Sequence, residues 1–145
     1  MNRVIYALQF YREPGKREDD PAFANSVTFL TRILPDGIHS LLDAIGGETA
    51  EFRSSVSIVS EKEGTFLEQG TIRFGRAGSV KFSTIGLGYL RQSQEGNLTP
   101  GTVMWQIDSG DGVFDGVYGA ITSNFLVNLD TNELVDNHLG VIYVK

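Results

Sequence analysis

Ser109-Gly-Asp-Gly-Val-Phe-Asp-Gly-Val-Tyr-Gly119 separates two runs in which apolar residues alternate. Upstream, Thr102–Asp108 sets Val103, Trp105 and Ile107 on one face against Thr102, Met104, Gln106 and Asp108. Downstream, Val117–Val127 sets Val117, Gly119, Ile121, Ser123, Phe125 and Val127 against Tyr118, Ala120, Thr122, Asn124 and Leu126. A period of two is the mark of a strand, because successive side chains point to opposite faces. The glycine-rich piece between the runs is then a turn. A dinucleotide or phosphate loop would open a helix, and none follows here.

The same period runs through most of the chain. Val4–Tyr11 ends at Pro14-Gly15, and Val27–Leu34 ends at Pro35-Asp-Gly37. From residue 51 the pattern settles into a meander: Phe52–Ser60, Thr65–Phe74, Ser79–Leu90, Thr102–Asp108, Val117–Val127 and Gly140–Val144. Residues 38–46 alone hint at a 3.6 period, so a short helical turn or an irregular crossing is expected there. Short strands at such spacing, with no long helix, point to a sandwich or a barrel. Glycines within or beside the strands (Gly75, Gly86, Gly88, Gly112, Gly116, Gly119) favour the barrel, whose corners need sharp bends. The expected fold is one all-β domain over 1–145, a closed antiparallel barrel of about eight strands.

Composition removes whole classes of function. With no cysteine, disulfides, thiolate metal sites and Cys nucleophiles are out. A net charge of −6, with scattered Lys and Arg, argues against nucleic acid. No apolar run is long enough for a transmembrane helix, and Met1-Asn-Arg-Val-Ile-Tyr6 lacks the apolar region of a signal peptide, so a cytoplasmic protein is expected.

Catalytic signatures are equally sparse. No GxSxG, Walker, HExxH or EF-hand pattern occurs. Asp108, Asp111 and Asp115 lack calcium-loop spacing and read as turn chemistry, so neither metal nor cofactor is expected. His39, near Ser40 and Asp43, reads as an exposed turn. His138 reads as a strand-end residue bonded to neighbouring backbone. Each strand has one apolar face and one mixed face with a few amides and hydroxyls, which suits an interior that binds a mostly apolar small molecule.

Gly110–Gly119 resembles the glycine-rich segment joining two barrel strands of the allene oxide cyclase family. Glu61-Lys-Glu-Gly64, Phe74-Gly75 and Gly78-Ser-Val80 resemble a further pattern of that family in the same order, and the likeness spans about residues 50–125. Ile121–Phe125 and Asn137–Ile142 look like a bacterial branch of it. The related dirigent proteins share the barrel. The resemblance implies an eight-stranded barrel, a trimer, and an apolar lumen that holds a reactive oxylipin during ring closure. Aligned on Tyr6, the family's first-strand glutamate and asparagine become Ala7 and Gln9, and its lumen cysteine is absent, so allene oxide cyclase activity itself is not expected. The expected function is a cyclase or isomerase that preshapes an oxylipin- or polyketide-like substrate for ring closure. The alternatives are a non-catalytic carrier and a dirigent-like scaffold. Gln9 and Tyr11 are the candidate catalytic residues, and Trp105, Tyr118 and Asn124 the candidate substrate contacts. A homo-oligomer, trimer or dimer, is the expected assembly.

Overall fold

The computed structural model describes residues 1–93 and 96–145. Its strands are β1 (Asn2–Arg12), β2 (Ala22–Ala24), β3 (Val27–Leu34), β4 (Gly37–Ala44), β5 (Ala50–Ser60), β6 (Thr65–Phe74), β7 (Ser79–Thr84), β8 (Gly88–Leu90), β9 (Leu98–Gly110), β10 (Tyr118–Asn128) and β11 (Leu134–Val144). All but β3 and β4 form one antiparallel sheet in the order β10-β11-β1-β2-β5-β6-β7-β9-β8. A further pairing of β9 with β10 turns that order into a ring of hydrogen-bonded strands. β7 and β8 both lie between β6 and β9 and share one position in the ring. The continuous strand expected over Ser79–Leu90 is therefore interrupted at Ile85-Gly86-Leu87, where Gly86 takes a φ of 68°. The ring is thinnest at β2, which meets β1 through the single pair Tyr11↔Phe23 and meets β5 through three pairs.

The period of two reads out as inside and outside. Tyr6, Leu8 and Phe10 of β1, Val103 and Trp105 of β9, and Ile121 and Phe125 of β10 belong to or pack on the core. At its waist the interior is filled by rings. Trp105 lies 4.2 Å from Phe82 and 5.6 Å from Phe52, and Phe10 lies 5.7 Å from Phe52.

Strand glycines make this filling fit. Gly101 pairs with Phe125, Gly88 with Phe66, Gly140 with Tyr6 and Gly70 with Phe82, each directly across a strand boundary. A Cβ at any of the four would run into the facing ring, so each aromatic lies over bare backbone. Gly101→Val is expected to cost about 1–3 kcal/mol by overpacking. Phe125→Ala in the same chain is expected to recover part of that loss, as read from urea unfolding in a double-mutant cycle. Purely additive costs would show that the ring and the glycine do not depend on each other.

The Ser109–Gly119 stretch forms the β9–β10 corner. A 3-10 turn occupies Gly112–Phe114, and Asp111 accepts hydrogen bonds from the Ser79 amide and hydroxyl at 2.7 Å each. Asp108 accepts instead from Ser83, and Asp115 pairs with Lys145, so the three carboxylates are engaged separately.

Residues 38–46 require correction. They hold no helical turn: Gly37–Ala44 is strand β4, paired with β3 from Val27↔Ala44 to Leu34↔Gly37 around Pro35-Asp36. The apparent helical spacing arises because this ribbon carries apolar residues on both faces, Ile38 and Leu42 on one and Leu41 on the other. His39 is accordingly a strand residue, exposed, with Nε2 3.0 Å from Asp36 Oδ1. Gln94 and Glu95 lie outside the described residues, and β9 begins at Leu98, before the Thr102 expected for this strand.

Candidate functional site

A cavity of about 210 Å³ opens where β1, β5 and β10 end and where β6 and β11 begin. Its walls are apolar, with Phe52, Phe66 and Leu134 buried, Phe125 half-buried, and Val56, Ile58 and Leu129 exposed toward the mouth. The strands contribute four polar groups, Arg12, Ser54, Glu68 and Asp136, while Glu18 and Asn132 line it from the loops. All four come from inward positions of their strands, so the ring itself aims them at one another.

Glu68 is the best placed acid–base group. It is buried, and Ser54 Oγ donates to its Oε1 at 2.5 Å. Burial pushes its pKa up to about 7. The Ser54 hydrogen bond opposes that rise, the Asp136 charge adds to it, and the Trp105 indole and Arg12 oppose it. The indole N–H exerts this pull from outside hydrogen-bond alignment, since Nε1 has no well-directed acceptor. A carboxyl that is half ionised near neutral pH can both give and take a proton.

Asp136 is also buried and accepts from Ser123 Oγ at 2.5 Å. Its other oxygen lies 3.0 Å from His138 Nε2, within ion-pair distance. The contact is out of line for a hydrogen bond, and neither ring nitrogen of His138 has a directed partner. Ser123, Asp136 and His138 are the residue types of a hydrolytic triad in the wrong connection. The hydroxyl is held by the aspartate instead of the imidazole, so it is not an activated nucleophile.

Arg12 closes the rim. It donates to the backbone carbonyls of Asn132, Glu18 and Asp20 at 2.8, 3.0 and 3.3 Å. Burial lowers its pKa, and the charges of Asp20, Glu18, Asp136 and Glu68 work against that. It remains a cation that partly neutralises the two buried carboxylates.

No protein-family model, curated protein or solved structure matches this chain. The site is therefore read from its own chemistry. Among the described residues, no helix is long and apolar enough to cross a membrane, and no group of three His, Cys, Asp or Glu is placed to hold a metal ion.

The residues singled out from the sequence divide by face. Trp105 is wholly buried, packed at the waist beneath the cavity. Gln9 lies on the opposite face of β1 from Phe10 and donates to Asn137 Oδ1 at 3.0 Å. Tyr11 and Tyr118 are exposed, the latter stacked on Tyr143, and Asn124 is exposed on β10. Ala7 shares the outer face with Gln9, so the pair aligned with the family's first-strand residues does not point inward. His138 also requires correction. It sits within β11, opposite Leu8, with its ring 4.5 Å from Phe10 and 4.9 Å from Trp105, and not at a strand end. No motif marks Glu68, Asp136, Arg12, Ser54 or Ser123 as functional. The signal was available: Glu68 alternates with Phe66 and Ile72, and Asp136 with Leu134 and Ile142, placing charge at apolar parity.

Proposed function

We propose that the ring closes as an eight-position barrel similar to that of the allene oxide cyclases, and that the protein is a cyclase or isomerase acting on a mostly apolar, oxylipin- or polyketide-like molecule. The observation that carries this reading is Glu68, a carboxyl with a pKa of about 7 at the floor of an aromatic-walled cavity of about 210 Å³. Ring closure of a flexible polyene or epoxide needs a restricted conformation, exclusion of water and one proton delivered and recovered. The phenylalanine walls supply the first two. Neutral Glu68 gives a proton to a substrate oxygen, and its carboxylate takes one back as the ring forms, so the substrate is isomerised with no co-reactant. Arg12 lends positive charge beside an oxygen that gains electron density.

The first test is native mass spectrometry of the protein purified from its own host. A bound apolar molecule is expected in the wild type and not in Val56→Trp, which fills the mouth without disturbing the waist. The second is turnover of a conjugated polyene or an epoxide of a fatty acid, expected to fall at least tenfold in Glu68→Gln while binding is retained. Binding with no turnover by either form would leave a carrier. No binding at all would sink both readings.

A further inference from the structure

The hairpin β3–β4 stands outside the ring with both of its edges unpaired. Among the described residues it is tied to the ring at its base, where Ser26, whose carbonyl accepts from Ile45 N at 2.9 Å, bridges Leu8. A two-stranded hairpin is marginal in water by itself. This one is also unusually apolar on its surface: Ile33 is 85% and Ile38 75% exposed, with Phe29 and Leu42 exposed beside them. The cross-strand pairs Val27↔Ala44, Phe29↔Leu42, Thr31↔Ser40 and Ile33↔Ile38 share one face, and that face carries no charge. Asp43, Arg32 and His39 all fall on the other.

The same chain has a second face of this kind. Across β1, β11, β10 and β9 the outward residues align in four rows, from the Ile5–Gln106 row to the Tyr11–Pro100 row. None of those sixteen positions is charged, in a chain with 21% charged residues and a net charge of −6. Ile5, Leu139, Val141, Met104, Leu126 and Tyr11 are exposed on it. At ordinary strand spacings this face measures about 14 by 20 Å, and the arm is about 27 Å long and about 10 Å wide.

We infer that the uncharged face of the β3–β4 arm docks on the four-strand face of a second copy of this chain. Copies of an acidic protein repel wherever their charges meet, and these two faces are where they meet without charge. Two reciprocal contacts of that footprint bury on the order of 1,200 Å², the size at which stable pairs begin. The docking gives the arm the packed partner that a two-stranded ribbon needs.

The test is complementation. The arm variant is Ile33→Glu with Ile38→Glu, and the face variant is Leu139→Glu with Val141→Glu. All four residues are surface-exposed, so circular dichroism is expected to match the wild type. By sedimentation velocity at ~20 µM the wild type is expected as an oligomer and each variant as a monomer. An equimolar mixture keeps one of the two contacts, about half of the buried area, so a weak one-to-one association is expected that neither variant shows with itself. Leu30→Ser, on the charged face of the arm, is expected to leave the oligomer intact. A monomeric wild type would overturn the inference. So would a mixture that associates no more than either variant alone at the highest concentration tested, which points to arm-on-arm or face-on-face contact. Flotation of the intact chain with phosphatidylcholine vesicles, lost in the arm variant, would overturn it in favour of a lipid surface.

Discussion

Replacing Glu68 by Gln is expected to abolish most of the fall in stability that the wild type shows between about pH 4.5 and pH 7. The native carboxyl has a pKa of about 7 and the ordinary value is 4.5, so in this window the folded state binds more protons than the unfolded one. Stability then decreases as pH rises, is greatest where Glu68 is protonated in both states, and levels off above the native pKa. A shift of that size corresponds to about 3 kcal/mol across the window. Gln keeps the volume and an acceptor for the Ser54 hydroxyl but cannot ionise. The variant should match the wild type near pH 4.5 and exceed it by up to about 3 kcal/mol at pH 8. Urea unfolding at pH 5, 6, 7 and 8 measures this directly. Trp105 supplies an independent probe, because its indole lies close enough to Glu68 to stabilise the ionised form. The wild type should show a fluorescence transition near pH 7 that Glu68→Gln lacks. A slope that survives in the variant would assign the titration to another buried group of the cluster.

Most of the strands, and the division of β1, β9 and β10 into two faces, were legible from alternation alone; which face turns inward was not, and Gln9, Tyr11, Tyr118 and Asn124 belong to the outer one. Legibility failed in two opposite ways. On the β3–β4 arm the apolar residues occupy both faces, since no core lies on either side to select one, and the lost alternation imitated a helix. Around Asp136-Asn-His138 the polar residues read as the entry to a strand, yet they lie within β11, with Asp136 and His138 at inward positions and Asn137 at the outward one. The candidate site was hidden for the same reason. Gln9, Tyr11, Tyr118 and Asn124 stand on mixed faces, where polar groups are ordinary, whereas Glu68 and Arg12 stand at apolar parity, where a charge is costly and calls for an explanation. Which polar groups meet inside the ring follows from register: β5 on β6 brings Ser54 to face Gly70 with Glu68 one step along, and β10 on β11 brings Ser123 opposite His138. Those pairings join residues far apart in the chain, and local pattern does not encode them.

Trp105→Ala is expected to be the most damaging single change outside the cavity, and Trp105→Phe separates the two things the indole does. Trp105 is wholly buried, within 4.2–5.6 Å of Phe82, His138 and Phe52, so removing its ring empties the waist. Such a truncation costs roughly 3–5 kcal/mol, a large share of an ordinary domain's stability, and should lower Tm by roughly 10 °C. Phenylalanine retains most of the stacking. It also deletes an indole N–H that has no aligned acceptor, so no partner is orphaned, and the expected loss is nearer ~1 kcal/mol. The electrostatic consequence is common to both variants. Without the indole dipole the ionised form of Glu68 loses one of its few supports, and its titration, followed by NMR of the side-chain carboxyl, should move upward from about 7. An unmoved titration in Trp105→Phe would show that the ring acts on the cavity by packing alone. An upward shift there, without the large loss of stability, would show that the waist sets the acidity of the group on which the proposed chemistry depends.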